Sequence, residues 1–311
     1  MSENYFVPPL AASLTKAASQ QTYYTIRFLV DRERVPDAYR AYGYFRWLDN
    51  QLDRDGMKRA DRLALMERQK DLMERCRRAE PLRQASVEEQ MLVELIQNDR
   101  ERNSGLQAYI RNMLAVMEFD ANRRGRSIAS TELAAYSQHL SIAVTEAMHY
   151  FIGHNFYSPR NAGRYLAVTG AHITHMLRDT HEDLRAGYFN IPRELLESHE
   201  ITPYDVESDA YRAWVANRVR LARSYFKAGR DYLAQVECLR CRLAGYAYMA
   251  RFESVLNVIE QEGYRLRQDY VECPGIGAKM IRSVLIPALD YCRGKRTSSR
   301  LPAHEIQRGE L

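Results

Sequence analysis

A chain of 311 residues, 46% of them apolar, has room for one large domain with a substantial core. Its formal charge of +5 is scattered along the chain rather than concentrated, which argues against nucleic acid and is compatible with an anionic substrate or transient contact with an acidic membrane surface. No apolar run approaches the ~20 residues of a membrane span, and Met1-Ser2-Glu3-Asn4-Tyr5 opens no signal peptide, so the expected compartment is the cytosol, with peripheral membrane contact left open.

Residues 1–14, with Pro8-Pro9, read as an N-terminal extension. Pro36 stands where a first helical turn tolerates it, and Val35 through Leu52 follows as one amphipathic helix. Helical spacing predicts further helices at 57–79, 87–120, 130–152, 161–185, 205–235, 236–268 and 276–293. Polar breaks fall at Asn122-Arg-Arg-Gly125-Arg and at Ser158-Pro159-Arg160-Asn161. No segment alternates as a strand does, so 15–293 reads as a single all-α domain and 294–311 as a tail. Cys238-Leu-Arg-Cys241 has the spacing of zinc and redox sites, but it has no second pair, and two thiols packed on a helix is the reading it supports.

Two acidic pairs carry the candidate chemistry. Asp49 and Asp53 are four residues apart, so both carboxylates share one helical face. Asp179 and Asp183 repeat the spacing and add Arg178 and Glu182. Like charges so placed repel unless a cation lies between them, and magnesium takes such hard oxygen ligands together with substrate phosphates. If the two helices face each other, the four carboxylates line one cavity and their ions neutralise a diphosphate. A third pair, Asp205 and Asp209, follows Thr202-Pro203 and is read as helix capping, which shows that spacing alone is a weak signal.

The surrounding residues are more specific. Tyr42-Gly-Tyr44-Phe-Arg46-Trp-Leu-Asp49-Asn-Gln-Leu-Asp53 resembles the first acidic motif of the squalene/phytoene synthase family. Leu177-Arg178-Asp179-Thr-His-Glu182-Asp183, followed by Gly187 and Ile191-Pro192, resembles the second. Tyr136 stands where the family has a tyrosine, and Arg251 to Gly263-Tyr264 is similar to its late helix. The resemblance covers roughly 15–290, in the family's motif order. It implies an all-α, class I isoprenoid-synthase-type helical array around a central cavity. It further implies magnesium-assisted ionisation of a prenyl diphosphate and head-to-head joining of two prenyl chains through a cyclopropyl intermediate. Asp49, Asp53, Asp179 and Asp183 would then be the metal-linked carboxylates, and Arg46, Arg178 and Tyr136 would contact or position the diphosphate. Glu182 and Tyr44 join them as expected substrate-binding residues.

The sequence also departs from the family. Gln and Asn one turn apart before the second motif are replaced by His172 and His175, which could donate hydrogen bonds or, protonated, pair with diphosphate. The common Gly-Arg-x-Tyr-Leu-Pro becomes Gly187-Tyr188-Phe189-Asn190-Ile191-Pro192. These exchanges are expected to surround the substrate rather than the metal carboxylates, placing the doubt on the acceptor. NADPH, which complete squalene synthesis in the family requires, has no Gly-x-Gly-x-x-Gly fingerprint here, since Gly275-Ile-Gly277 is too short. The readings to separate are a head-to-head prenyltransferase, a diverged relative that prenylates another acceptor or cyclises one chain, and a non-catalytic protein on the same scaffold. No motif speaks to the oligomeric state.

Overall fold

Apolar side chains at helical spacing fold into twelve α-helices, with no strand among the described residues of the computed structural model, which are 9–54, 56–81 and 85–270. In chain order they are α1 (Pro9–Ala18), α2 (Gln20–Leu29), α3 (Val35–Leu52), α4 (Arg59–Arg77), α5 (Val87–Asn98) and α6 (Gly105–Arg123). They continue with α7 (Ser130–Phe151), α8 (Leu166–Arg178), α9 (Thr180–Ala186), α10 (Arg193–Ser198), α11 (Asp209–Ala234) and α12 (Leu239–Gln261). The all-α architecture expected from the sequence is the one observed. The expected helix at 276–293 and tail at 294–311 lie outside the described residues.

α8 is the axis of the array. Its buried residues include Ala167, Val168, Ala171, Ile173, Met176 and Leu177, and it packs against α7, α11 and α12. A helix apolar nearly all round must be enclosed. Enclosure is tightest against α11, where a Cβ on Gly229 would stand 2.7 Å from the Ala167 Cβ. Only a residue without a side chain lets the two backbones approach so closely.

Several boundaries differ from expectation. The run 87–120 is two helices, because Asn103 takes a left-handed φ of 55° and Ser104 then caps α6 by accepting the Gln107 N–H at 3.0 Å. The run 161–185 is a 3-10 turn followed by α8 and α9, which meet at Asp179. The expected 236–268 helix starts at Leu239, so Cys238 caps it rather than lying inside it, and both thiols are buried. Burial pushes the Cys241 thiol up to about 12, far from the reactive thiolate range. Of the expected extension, residues 9–14 belong to α1. There Ala11 is buried, and a Cβ on Gly43 of α3 would meet its backbone at 3.4 Å.

Tyr44 takes a place the first motif did not suggest. It is fully buried, and its hydroxyl donates to Gln69 Oε1 of α4 at 3.0 Å. Gln69 Nε2 donates in turn to Glu89 of α5 at 2.8 Å. Arg68, the Ser86 backbone N–H and Gln69 hold the Glu89 carboxyl down at about 2, with the Arg68 hydrogen bond the largest cause. Tyr44 therefore knits α3 to α4 and α5, and the expectation that it touches substrate is corrected. Tyr44→Phe should cost about 1–2 kcal/mol of unfolding free energy, because it strands a buried amide oxygen; an unchanged denaturation midpoint would contradict this network.

Candidate functional site

Three helices bring acids to one place by their C-terminal ends. The last turn of α3 carries Asp49 and its cap is Asp53; the last turn of α6 carries Asp120; α8 is capped by Asp179. Asp183 stands one turn further, in α9. Helix C-termini already carry negative dipole charge, so each acid at such an end is opposed by its own helix. All five aspartates, with Glu182, line a single cavity of about 660 Å³. The two sequence pairs thus face each other across one cavity, and Asp120 stands among them.

A buried arginine ties the two sides together. Arg123 of α6 donates to Asp120 Oδ1 at 2.6 Å and to Asn190 Oδ1 at 2.8 Å. Asn190 Nδ2 then donates to Asp183 Oδ2 at 2.6 Å. The guanidinium lies 4.9 Å from the ring centroids of both Tyr136 and Tyr188. Tyr136 donates its hydroxyl to Asp120 Oδ2 at 2.9 Å, and Tyr188 donates to Asp53 Oδ1 at 3.2 Å. The exchanged residues Tyr188 and Asn190 therefore touch the acidic pairs themselves, correcting the expectation that they surround only the substrate.

The loop that carries them is fastened at both ends. Gly187 ends α9 at φ 84°, in the left-handed region that favours glycine, and its carbonyl accepts the Gly125 N–H at 2.8 Å. Arg193 N–H donates to Ile128 O, also at 2.8 Å. Tyr188 and Asn190 are held between these two straps.

Arg46 and Arg178 do not line the cavity; each grips an aspartate. Arg46 donates to Asp49 at 2.9 Å, and Arg178 makes a bidentate pair with Asp179 at 2.6 and 2.7 Å. His175 Nε2 lies 3.1 Å from Asp179. His172 is buried with Nδ1 3.1 Å from Ser137 Oγ, and its ring meets Tyr136 edge-on at 4.9 Å. Burial pushes the His172 imidazole down to about 3, so it is a neutral wall group and not the cation considered from the sequence.

The carboxylates are under strain of charge. Burial, and then the neighbouring Asp53, push Asp49 up to about 6; burial and Asp179 push Asp183 up to about 7. Burial also raises Asp120. In each case the first cause is burial, which withdraws water from the charged form. Among the described residues no three His, Cys, Asp or Glu side chains form a ready cage for an ion. Magnesium does not require one, since it is commonly bound by one or two carboxylates and completed by water and substrate phosphates. The carboxylate oxygens of Asp49, Asp53, Asp179 and Asp183 are donors of the kind that ion takes, whereas the imidazoles of His172 and His175 are not.

A second cavity, of about 350 Å³, lies further along the same helices and is walled by Ala41 of α3, Val144 of α7 and Val168 of α8. Ala41 precedes Asp49, and Val144 follows Tyr136, by eight residues, or about 12 Å along each helix. Ile26 and Val30, from α2 and the residue after it, close one side. A charged cavity and an apolar one are thus stacked on one set of helices.

Sequence reasoning missed Asp120 and Arg123. They are spaced i, i+3 where the helix runs into the polar break at 122–126, a pattern that ordinarily marks a solvated helix end. Only the burial of Arg123 distinguishes them.

The family model described as squalene/phytoene synthase matches residues 15–275. The squalene synthase HpnC from Alicyclobacillus acidocaldarius superposes with a TM-score of 0.65 at 19% identity, covering 83% of this chain and 94% of that one. A dehydrosqualene synthase in complex with ligand gives 0.65 at 14% identity, covering 91% and 95% respectively. These likenesses show the fold, and no curated protein matches the sequence.

Asp183 binds its proton more tightly folded than unfolded, so its contribution favours the folded state at low pH and is lost as pH rises through about 7. Asp49 acts in the same direction through about 6. In chelator-treated protein this contribution should lower the melting temperature as pH rises from about 4 to about 7, against the opposite contribution of buried His149 and His172, whose imidazoles burial pushes down. Asp183→Asn should flatten that slope and melt a few degrees higher at the upper end, on a scale of roughly 2–4 °C per kcal/mol. A variant that melts lower there would refute the charge-strain account.

Proposed function

The chain belongs to the squalene/phytoene synthase family and is by that membership a prenyltransferase; we propose that it ionises farnesyl or geranylgeranyl diphosphate with magnesium and condenses two prenyl chains head to head. The observation that carries this reading is the stacking of the carboxylate cavity on the apolar one along α3, α7 and α8. An amphiphile with a polyanionic head and a hydrocarbon tail matches that order of surfaces. No single-headed polar substrate would use the apolar cavity.

Asp49, Asp53, Asp179 and Asp183 would hold the ion, which when bound neutralises the diphosphate and stabilises it as a leaving group. Arg46 and Arg178 fix the orientation of Asp49 and Asp179. Arg123 holds Asp120 and, through Asn190, Asp183. Burial and the adjacent Asp120 raise the Tyr136 hydroxyl well above its usual range, so at neutral pH it keeps its proton and acts as a donor, not a base. Tyr136 is covered by Phe119, stacked on its ring at a centroid distance of 4.9 Å, and by the Arg123 guanidinium, so its part in this reading is to hold Asp120.

A second reading is a diverged relative that transfers the prenyl group to another acceptor or cyclises one chain. The hydrogen bonds of the exchanged residues Tyr188 and Asn190 to Asp53 and Asp183 favour it, because they alter the groups nearest the diphosphate.

The protein should release diphosphate from a C15 or C20 donor only when magnesium is present, and mass spectrometry should find a C30 or C40 product from that donor alone. Asp53→Asn and Asp179→Asn should each lower kcat by roughly 10²–10³-fold. Products no longer than the donor would select the second reading. Absence of diphosphate release with every donor tested would remove both.

A further inference from the structure

Joining two prenyl chains head to head, the condensation proposed above, liberates a proton as well as diphosphate. The ionised C1 of one chain bonds to C2 of the other chain's allylic double bond and leaves a tertiary cation at C3. Closing the cyclopropane then uses the electron pair of a C–H bond on that same C1, and the proton must pass to a base. C1 is the carbon that bore the diphosphate, so the base belongs where the charged cavity gives way to the apolar one.

α8 marks that border. Asp179, its cap, and Met176 line the charged cavity, while Ala167 and Val168, near its start, line the apolar one. His172 stands between them, four residues after Val168 and seven before Asp179, or about 10 Å of helix from the carboxylate end. Val168, His172, Met176 and Asp179 recur at helical spacing, so they share one face.

The imidazole is fixed at one nitrogen and open at the other. Nδ1 lies 3.1 Å from Ser137 Oγ, and the residue, 4% exposed, packs edge-on against Tyr136. Nε2 has no hydrogen-bond partner among the described residues, yet it is not a sealed, orphaned atom, so it opens on the cavity that His172 lines. With Nδ1–H donating to Ser137, Nε2 presents its lone pair there. Where the resemblance leads one to expect glutamine, an amide that takes no proton, this chain carries a base.

The other groups that line the charged cavity are committed elsewhere. Burial and Asp120 keep the proton on Tyr136, and burial and Asp53 do the same for Tyr188. His175 Nε2 faces Asp179, and Glu182 is exposed to solvent. Asp120 accepts from Arg123 and Tyr136, and the remaining aspartates hold the ion in the proposed reading.

We infer that His172 is the base of the condensation, its Nε2 taking the C1 proton as the cyclopropane closes. The C–H bond breaks, its electrons form the last ring bond, and the proton becomes the Nε2–H of an imidazolium. Burial pushes the imidazole down to about 3, which keeps it unprotonated and ready at neutral pH. Its weak basicity suffices, because the C–H bonds beside a carbocation are far more acidic than any imidazolium. The same burial drives the imidazolium to return its proton to solvent, which resets the base.

The inference rests on the proposed condensation, and the test separates the two. His172→Gln is assayed with magnesium and whichever C15 or C20 donor the wild type joins. Diphosphate release should stay within a few-fold of wild type, since ionisation precedes proton transfer, and this retained step also reports an intact fold. Product of twice the donor length should fall roughly 10²-fold, replaced by prenyl alcohol of donor length. Undiminished joining by the variant would assign the proton to the departing diphosphate and overturn the inference. Equal loss of diphosphate release and of joining would overturn it too, because His172 would then serve ionisation or folding. Donor-length products from the wild type itself would remove the condensation, and the inference with it.

Discussion

Mutual repulsion among the aspartates of one cavity is the constraint around which the rest of the molecule is arranged. Three helices end there with acids at their negative poles, where the dipole opposes them. A sequence selected for stability alone would place lysine or arginine at those ends. Positive charge is present but rationed: Arg46 and Arg178 each serve one aspartate, and Arg123 serves Asp120 directly and Asp183 through Asn190. Burial first, and neighbouring aspartates after it, still raise Asp49, Asp120 and Asp183.

Such a cluster would push its own helices apart unless they were fastened elsewhere. The close seam of Gly229 and Ala167 fixes α11 against α8, and the buried hydrogen bonds of Tyr44, Gln69 and Glu89 fix α3 against α4 and α5. The straps at Gly125 and Ile128 hold the loop that supplies Tyr188 and Asn190. Cohesion therefore comes from packing and neutral hydrogen bonds outside the cavity, while the cavity carries the opposing charge.

How much of this was legible follows from which interactions are local. The pairs Asp49/Asp53 and Asp179/Asp183 were legible because their spacing and neighbours are written in consecutive residues. Tyr44 was misread although helix geometry contains the correction: five residues before Asp49 it points about 140° away from it. Arg46, three residues before Asp49, shares its face and does reach it. Asp120 and Arg123 were illegible for another reason. Their meaning depends on a third helix ending where the other two end, which no local pattern encodes. The break between α5 and α6 escaped because Asn103 and Ser104 look like ordinary helix-surface residues until one turns left-handed and the next becomes a cap.

The exchanged positions after the second motif show how one cavity shifts its electrostatics without losing an aspartate. Where the resemblance leads one to expect arginine, Tyr188 gives Asp53 a neutral hydrogen bond; where it leads one to expect tyrosine, Asn190 relays Arg123 to Asp183. A phenol partner stabilises a carboxylate less than a guanidinium does. Arg123, beside the rings of Tyr136 and Tyr188, is spent mainly on Asp120, while Arg124 and Arg185 also line the cavity. The loop thus gives both aspartate pairs neutral partners, and the guanidinium groups that line the cavity come instead from the end of α6 and from α9.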